Sequence, residues 1–490
     1  MKQKRILASL LAALLLTSTV TGCGSDTVTD TTNADNTAIP TDTVETETER
    51  VLWQDLSKTD LGGYDFRIIE YTPAAETGAN MLHGDAEELT GEVVNDAIYN
   101  RNIAVEDTFN CVISTEGVNW GQAASALEKS VTAGDDNYSL GMDTPGTISP
   151  LMMKNVLLNL YTVPNMELSN PWYNQKQVES FTVQDKLFFF MGDLSFSTLM
   201  FGACMIYNLD LADRLGLEYI YDVVMEHQWT LDKMYEMTEG VSQDLNGDGE
   251  FKEADDQFAY AMRDSGNMMN FMFSSDTNFI EYDTATNTFV NTFDLEKVSS
   301  IVEKMNKNYN DGHRGIDSED HTKLFQECRV LMRSAYVGGL VNHQDMEDAF
   351  APIPYPLYDT EQPEYLSMMT GSVQVMAIPT TVTDPAAVGL IIEAMSEHSH
   401  GELNDAVYER VLSYQTMRSE DAMDILKLIH ESLIVDFGYL TALGQADNMK
   451  WVVGNLVMKN STDVASYYAK YKDALESFYA DMLEDFTNLG

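Results

Sequence analysis

The chain has 490 residues, of which 78 are acidic and 29 are Lys or Arg, so its formal net charge is −49 at pH 7. Such a negative surface repels nucleic acid and anionic lipid, which excludes nucleic-acid binding and membrane association through a basic face. The length is sufficient for two domains with a large buried core.

The first 22 residues have the layout of an export signal. A positively charged start precedes an apolar run at 6–16, which is too short to span a bilayer as a stable helix. Val20-Thr21-Gly22 then leads into Cys23. This layout resembles a bacterial lipoprotein signal with its lipobox, which implies removal of residues 1–22 and fatty acylation of Cys23, for instance with palmitate. The alternative is an ordinary signal peptide followed by a chance cysteine.

The segment after Cys23 is predicted to be a tether. Residues 24–50 are dominated by Thr, Asp, Asn and Glu, with almost no large apolar side chains. Such a composition cannot bury enough surface to fold, so we expect residues 23–50 to be a lipidated, disordered link. Folded sequence begins near Trp53, which we assign to packing.

Strands and helices alternate in the first part of the folded chain. Apolar patterns predict three strands and two intervening helices. In chain order these are a strand at 64–71, a helix at 91–109, a strand at 111–114, a helix at 122–131 and a strand at 138–142. This alternation predicts an α/β lobe with a largely parallel sheet.

The second part of the chain predicts more helix. Continuous apolar runs at 187–191 and 199–207 are typical of buried strands, and Asn208 is predicted to start a helix that stops at Gly216. From there to about residue 349 we expect mostly helix, with Thr230 as an N-cap. A strand at 372–378, a helix at 386–396 and a final amphipathic helix at 463–486 complete the prediction.

One short acidic motif matches a calcium-binding loop of the EF-hand type. Oxygen donors lie at its positions 1, 3 and 5, glycine at position 6 and a carboxylate at position 12. The predicted ligands are Asp244, Asn246, Asp248, the backbone carbonyl of Glu250, and Asp255. Aspartate at position 12 is shorter than the usual glutamate. We therefore predict one structural calcium ion, the alternative being an acidic turn without metal.

Several motifs in a fixed order resemble one protein family. They are residues 91–102, Asn170-Pro171-Trp172-Tyr173, residues 186–193, Tyr207-Asn208, residues 228–233, residues 353–356 and residues 361–365. Together with the lipobox, this series resembles the extracellular solute-binding lipoproteins of ABC importers, of the family 1, sugar-binding type. The chain departs from the family pattern at Leu357, where a basic residue is frequent, and at Tyr173, where a second tryptophan is frequent.

The resemblance implies a two-lobed, periplasmic-binding-protein-like fold of type II, in which each lobe is a mostly parallel sheet flanked by helices. The ligand binds in the cleft, and the lobes close on it by a hinge motion. We place lobe 1 at 51–205 and 350–402, and lobe 2 at 206–349 and 403–490. The chain would cross between them near residues 201–208 and 349–356.

The function implied is capture of a carbohydrate, favouring an oligosaccharide, and its delivery to the transmembrane permease subunits. We expect a monomer without catalytic residues, anchored by lipid on the outer face of the membrane, with a Gram-positive surface favoured over a periplasm. Two alternatives remain: a surface lipoprotein that hydrolyses glycans, and a binding component for peptides or another polar solute.

Six residues are candidates for the ligand site. Sugar sites stack aromatic faces on the CH patches of the ring and use carboxylates to accept hydroxyl protons. The candidates are Trp172, Tyr173, Tyr336, Trp451, Asp143 and Asp193. Trp172 and Tyr173 lie on a loop, Tyr336 and Trp451 follow from the resemblance, and the two aspartates follow predicted strands. The alternative for the aromatic pair at 172–173 is core packing. For each aspartate it is a loop cap or a surface charge.

Overall fold

The computed structural model describes residues 59–72, 83–263, 265–343, 345–412, 420–441 and 446–489, all within one compact unit, Val51–Gly490. Cys23, the tether and Trp53 lie outside the described residues, so the predictions made for them stay predictions. None of the helices in the described ranges is both long and apolar enough to cross a membrane.

The strands are short, and most of them belong to two sheets. In chain order they are β1 Tyr64–Tyr71, β2 Cys111–Val118, β3 Leu140–Asp143, β4 Ala203–Asn208, β5 Phe258–Met262, β6 Glu281–Asp283, β7 Thr288–Val290, β8 Gly315–Asp317, β9 Val330–Tyr336, β10 Phe350–Ile353, β11 Ser367–Met368, β12 Val375–Ala377 and β13 Leu433–Ile434.

Helices flank and connect these strands. They are α1 Val93–Phe109, α2 Gln122–Ala133, α3 Pro145–Ile148, α4 Gln175–Phe181, α5 Ser197–Met200, α6 Leu209–Leu215, α7 Ile220–Met225, α8 Leu231–Met237, α9 Met269–Ser274, α10 Leu295–Asn310, α11 His321–Gln326, α12 Pro385–His398, α13 Asn404–Leu412, α14 Glu420–Glu431, α15 Phe437–Thr441, α16 Ala446–Met449, α17 Val452–Val457 and α18 Val464–Asn488. Short 3-10 turns lie at Ser149–Lys154, Leu160–Thr162, Ser265–Met268, Asp311–His313 and Val337–His343, and a π turn at Ser399–Leu403.

The first sheet has the strand order β12-β3-β1-β2. β1 pairs in parallel with both β2 and β3, and β12 closes one edge antiparallel to β3. Helices α1, α2 and α12 pack around it. The carboxyl ends of the three parallel strands therefore lie along one edge of the sheet.

The second sheet has the order β10-β4-β9-β5-β8. β5 pairs in parallel with β8 and β9, whereas β4 runs antiparallel to β9 and β10. The carboxyl ends of β5, β8 and β9 again share one edge. Two mixed sheets with largely parallel pairing and flanking helices confirm the predicted α/β class.

Local predictions in the first part of the chain are confirmed within a few residues, and two later ones are wrong. Residues 187–191 are buried but form no strand, because only Phe190 pairs with Met376 as an isolated bridge. The region 216–349 is not mostly helical, since it contributes three strands of the second sheet and the β6–β7 hairpin.

The predicted crossing segments are the two strands β4 and β10, which pair with each other in the second sheet. The predicted boundary at 205/206 falls inside β4, and residues 350–353, which were predicted to start the return to lobe 1, are still in the second sheet. The lobe boundaries as a whole stay a prediction.

A buried polar network joins distant segments at the carboxyl edge of the first sheet. The Glu70 carboxylate at the end of β1 accepts the backbone N–H groups of His83 and Gly84, at 2.8 and 3.0 Å, and the Gln374 side-chain amide at 3.0 Å. Arg101 of α1 donates to the carbonyls of His83 and Gly84. Burial raises the pKa of Glu70 to about 7 and lowers the pKa of Arg101 to about 10. The network clamps the chain at 83–84 over this edge.

Replacing Arg101 with Met should cost about 3–5 kcal/mol of unfolding free energy, because it leaves buried carbonyls and the Glu70 carboxylate without their cation. Urea denaturation measures this loss. The matched control is Arg263→Met, which removes a solvent-exposed pairing with Glu319 and should change stability by less than about 1 kcal/mol. Equal small effects in both variants would contradict the structural role of the network.

Candidate functional site

In open α/β sheets ligands bind outside the carboxyl ends of the strands, so those edges are where a site is expected. On the first sheet this edge carries Trp120, which follows β2, Asp143, which ends β3, and residues 144–147 after it. On the second sheet it carries Tyr336 at the end of β9. A site at either edge would therefore be built from loops and helix starts.

Asp143 is fully buried at the end of β3. Its carboxylate accepts the backbone N–H of Thr144 at 2.8 Å, of Ala124 at 3.3 Å and of Gly121 at 3.4 Å. Burial raises the pKa of Asp143, and these N–H groups oppose the rise. Because its oxygens are bound to backbone donors, this geometry favours the loop-cap alternative for Asp143 while placing it within the edge.

Tyr336 is half-buried, with its ring tilted against Phe201 at a centroid separation of 5.3 Å. Gly339 lies beside it: a Cβ at this position would meet the Tyr336 ring at 3.7 Å. Phe201 precedes β4, so Tyr336 lies where the chain enters the second sheet. This position is compatible with its predicted role at the ligand.

Trp451 lies at the start of α17, where it is half-buried and packed with two residues that the sequence did not single out. The Lys450 ammonium lies over the Trp451 ring at 5.1 Å and over the Tyr439 ring at 5.4 Å. The Tyr439 hydroxyl accepts the backbone N–H of Gly371 at 2.9 Å. Tyr439, Lys450 and Trp451 therefore form one cluster, which we call the aromatic–lysine cluster.

Contact between two short helices places this cluster near the carboxyl edge of the first sheet. α15, which carries Tyr439, packs against α3, which begins two residues after Asp143. Residues from β3 and from the C-terminal part of the chain therefore meet at one place. We take the region between the carboxyl edge of the first sheet and the aromatic–lysine cluster as the candidate ligand cleft.

Trp172 and Tyr173 are each only 1 % exposed. The Tyr173 hydroxyl donates to Glu393 at 2.5 Å, and the Trp172 ring packs at 6.4 Å from that of Tyr173 and at 6.5 Å from that of His400. Gly192 permits this packing, since a Cβ there would lie 2.3 Å from the Trp172 carbonyl oxygen. Burial of both rings favours the packing alternative over ligand contact.

Asp193 lies beside these rings and is paired with His400. Its carboxylate is 2.5 Å from His400 Nδ1, and the two side chains are 14 % and 40 % exposed. The backbone N–H of Asp193 donates to the Trp172 carbonyl. Asp193 thus has a structural partner, and the structure does not bring it together with the aromatic–lysine cluster.

The predicted calcium loop has the hydrogen bonds of a tight acidic turn. The Asp244 carboxylate accepts the N–H groups of Gly247 and Gly249, each at 2.7 Å. The Lys252 ammonium contacts Asp248 at 2.8 Å and Glu250 at 2.6 Å. Within the described residues, no group of three or more His, Cys, Asp or Glu side chains gathers closely enough to hold a metal ion.

The residue at position 12 of the loop differs from its neighbour in burial. Asp255 is exposed, whereas its neighbour Asp256 is buried and accepts the N–H of Leu245 at 2.9 Å and of Lys252 at 2.6 Å. The donor chemistry of the loop suits calcium, but in this arrangement Asp256 closes the loop and a lysine neutralises Asp248.

Comparison with solved structures identifies the fold. The GacH receptor of Streptomyces glaucescens, solved unliganded and with acarbose, has a TM-score of 0.55 at 9 % identity, over 86 % of this chain and 99 % of that one. UgpB of Mycobacterium tuberculosis with glycerophosphocholine has a TM-score of 0.54 at 9 % identity, over 86 % and 99 %. Lmo0181 of Listeria monocytogenes with cycloalternan has a TM-score of 0.51 at 11 % identity, over 85 % and 99 %.

No protein-family model matches the sequence, and no curated protein matches it significantly. The structural likenesses show the fold alone, which is two-lobed and periplasmic-binding-protein-like. They confirm the predicted fold class across most of the chain.

The carboxyl group that caps α15 allows a pH-dependent test of the structure at the start of this helix. Asp436 accepts the N–H of Tyr439 at 2.5 Å and lines a cavity of about 370 Å³ together with Glu179 and Glu281. Burial, reinforced by the Glu281 carboxylate, raises the pKa of Asp436 from 3.8 to about 7. A raised folded-state pKa means that its contribution to stability is present below about pH 4 and is lost as the pH rises through 7.

Asp436→Asn should therefore match the unaltered protein in stability at pH 4 and exceed it at pH 8, because asparagine can keep the cap without a buried charge. The gain is at most roughly 1.4 kcal/mol for each unit of the pKa difference. Thermal unfolding between pH 4 and 8 measures it. A difference in Tm that stays constant over this range would contradict the buried, perturbed state of Asp436.

Proposed function

We propose that this protein is the substrate-binding component of an ABC importer, which captures a carbohydrate outside the cell and delivers it to membrane permease subunits. The single observation that carries the proposal is the candidate cleft, where aromatic and polar side chains from the second half meet the carboxyl edge of the first sheet. Aromatic faces next to hydroxyl and amide groups suit the CH patches and hydroxyls of a sugar ring.

The fold supports the same proposal. The solved structures reported above include receptors crystallised with acarbose and cycloalternan, both oligosaccharides, at low sequence identity. An oligosaccharide is therefore the ligand class we favour, with binding and release but no bond made or broken. Because UgpB was solved in complex with glycerophosphocholine, another polar solute is the second candidate for the ligand.

The lipobox layout at Cys23 supports a further part of the proposal. Acylation of Cys23 would anchor the protein on the extracellular face of the cell membrane, and the acidic tether at 24–50 would hold a monomeric binding domain beside the permease. We favour a Gram-positive cell surface. Mass spectrometry of the protein purified from its membrane would identify a lipidated Cys23 as the first residue.

Trp451→Ala should weaken carbohydrate binding by roughly 1–3 kcal/mol, because it removes the aromatic face of the aromatic–lysine cluster. The protein from residue 51 onward is first screened by thermal shift against mono- and oligosaccharides, since a ligand at 100 times its Kd stabilises by about 2.7 kcal/mol. The affinity of each hit for the variant is then measured by calorimetry.

Two further variants act as controls for Trp451→Ala. Tyr219→Ala removes a tyrosine that is 49 % exposed on α7's amino-terminal flank and should leave affinity unchanged. Trp172→Phe should lower Tm without changing affinity if Trp172 packs the core. Loss of binding in Trp172→Phe at unchanged Tm would restore Trp172 as a ligand contact, and unaltered affinity in Trp451→Ala would remove Trp451 from the site.

We also propose that the loop at 244–255 binds one structural calcium ion, with Asp244, Asn246, Asp248, Glu250 and Asp255 as ligands. The support is the spacing of the oxygen donors and the carboxylate of Asp244, which accepts the Gly249 N–H across the turn. Binding would require calcium to displace Lys252 from Asp248.

Calcium titration should therefore raise Tm in the unaltered protein and raise it further in Lys252→Met, where the competing ammonium is gone. Asp244→Asn should abolish the response. A Tm that is independent of calcium in both the unaltered protein and Lys252→Met would contradict calcium binding, because the loop would then take no ion even without the competing ammonium.

A further inference from the structure

Trp120 has the largest exposed fraction, 65 %, of the large apolar side chains in the described ranges. It follows β2 at the carboxyl edge of the first sheet, one residue before Gly121, which has a positive φ of 72°. Single exposed apolar residues are ordinary on protein surfaces. The informative feature of Trp120 is the way its ring is held.

The indole is fixed by a hydrogen bond to a buried hydroxyl. Trp120 Nε1–H donates to Thr144 Oγ1 at 3.1 Å, and Thr144 is only 5 % exposed. Thr147 donates to the Thr144 carbonyl at 2.9 Å, and its hydroxyl lies 3.3 Å from that of Thr144. The backbone beside Trp120 is held as well, through the Gly121 N–H on Asp143. A large ring is thus ordered on a polar edge while most of its surface stays open to solvent.

An ordered, exposed indole is unfavourable in the absence of a ligand. Side-chain order costs entropy, and the exposed apolar surface gains nothing from the hydrophobic effect. A ligand that covers the ring would bury this apolar surface, and its binding would cost little further side-chain entropy because the ring is already held in place. An indole ring with most of its surface open to solvent suits a ligand that has an apolar face, as a pyranose ring has.

The position of the ring adds a geometric argument. Trp120 is tied to the segment at the start of α3, and α3 packs against α15 of the aromatic–lysine cluster. Trp120 and Trp451 therefore belong to two different segments of the candidate cleft, the loop after β2 and the start of α17. Two separate aromatic surfaces suit two different rings of one saccharide.

We propose that Trp120 is a specificity-determining residue of the cleft, where it stacks on a pyranose ring distinct from the one at Trp451 and so selects oligosaccharides over monosaccharides. Thr144 is its positioning residue. This inference rests on the proposed function of carbohydrate binding and adds to it the residue that distinguishes long from short saccharides.

The test compares affinities for two saccharide series, glucose to maltotetraose and glucose to cellotetraose, in the domain from residue 51 onward. Trp120→Ala should lose tenfold or more in affinity for the tri- and tetrasaccharide of the bound series and threefold or less for the shorter members. Thr144→Val, which removes the acceptor but keeps the shape, should lose several-fold for the same long ligands.

Tyr161 and Thr182 provide a matched control pair on the same half of the protein. Tyr161 is 50 % exposed and its hydroxyl lies 3.0 Å from that of Thr182, so the pair reproduces an exposed aromatic ring bound to a threonine away from the cleft. Tyr161→Ala and Thr182→Val should leave every affinity unchanged. In the unaltered protein a saturating tetrasaccharide should also reduce acrylamide quenching of tryptophan fluorescence, and this protection should be smaller in Trp120→Phe.

The outcomes separate the two proposals. Wild-type affinity in Trp120→Ala, with reduced affinity in Trp451→Ala, overturns the role of Trp120 and leaves the proposed function standing. Equal losses for short and long ligands overturn the selection by length. Absence of binding to every member of both series by the unaltered protein contradicts the proposed function, and this inference falls with it.

Discussion

Satisfaction of buried polar groups at the carboxyl edge of the first sheet is the constraint on which the candidate site depends. Glu70, Gln374 and Arg101 come from β1, the entry to β12 and α1, and are joined in one buried network. Because an unpaired buried charge or carbonyl is costly, these groups hold each other and the segment at 83–84 in one arrangement. This network fixes the edge of the first sheet, from which the loops of the candidate cleft extend.

The same principle distinguishes carboxylates that are committed to partners from aromatic rings that stay partly exposed. Asp143 and Asp193 have carboxylates committed to backbone N–H groups and to His400, respectively. By contrast, Trp120 contacts Thr144 and Trp451 contacts Lys450, while Trp120 is largely exposed and Trp451 is half-buried. A ligand can therefore use the aromatic faces at little cost in reorganisation, whereas the two carboxylates would have to give up their present partners.

The aromatic residues show which parts of the candidate site could be predicted from the sequence. Trp172 was one of the six candidates from the sequence, whereas Trp120 was not. One is 1 % exposed and the other 65 %. Tyr439 and Lys450 carried no signal of their own, because the cluster that includes Trp451 forms only when α15 and α17 fold together. The nearest signal was the sequence order Lys450-Trp451, which places a cation beside an aromatic ring.

The sequence by itself determined the class of fold: the alternation of strand and helix patterns in 64–143, the Asn208 and Thr230 caps and the final amphipathic helix are local properties set by side-chain periodicity and capping chemistry. Only the tertiary structure decided which strand-end side chains face the cleft and which are buried. That outcome depends on contacts between segments hundreds of residues apart, such as Glu70 with Gln374, and no local pattern encodes them. Strands β5, β8 and β9 of the second sheet were missed for the same reason, because their stability comes from pairing with distant neighbours rather than from intrinsic propensity.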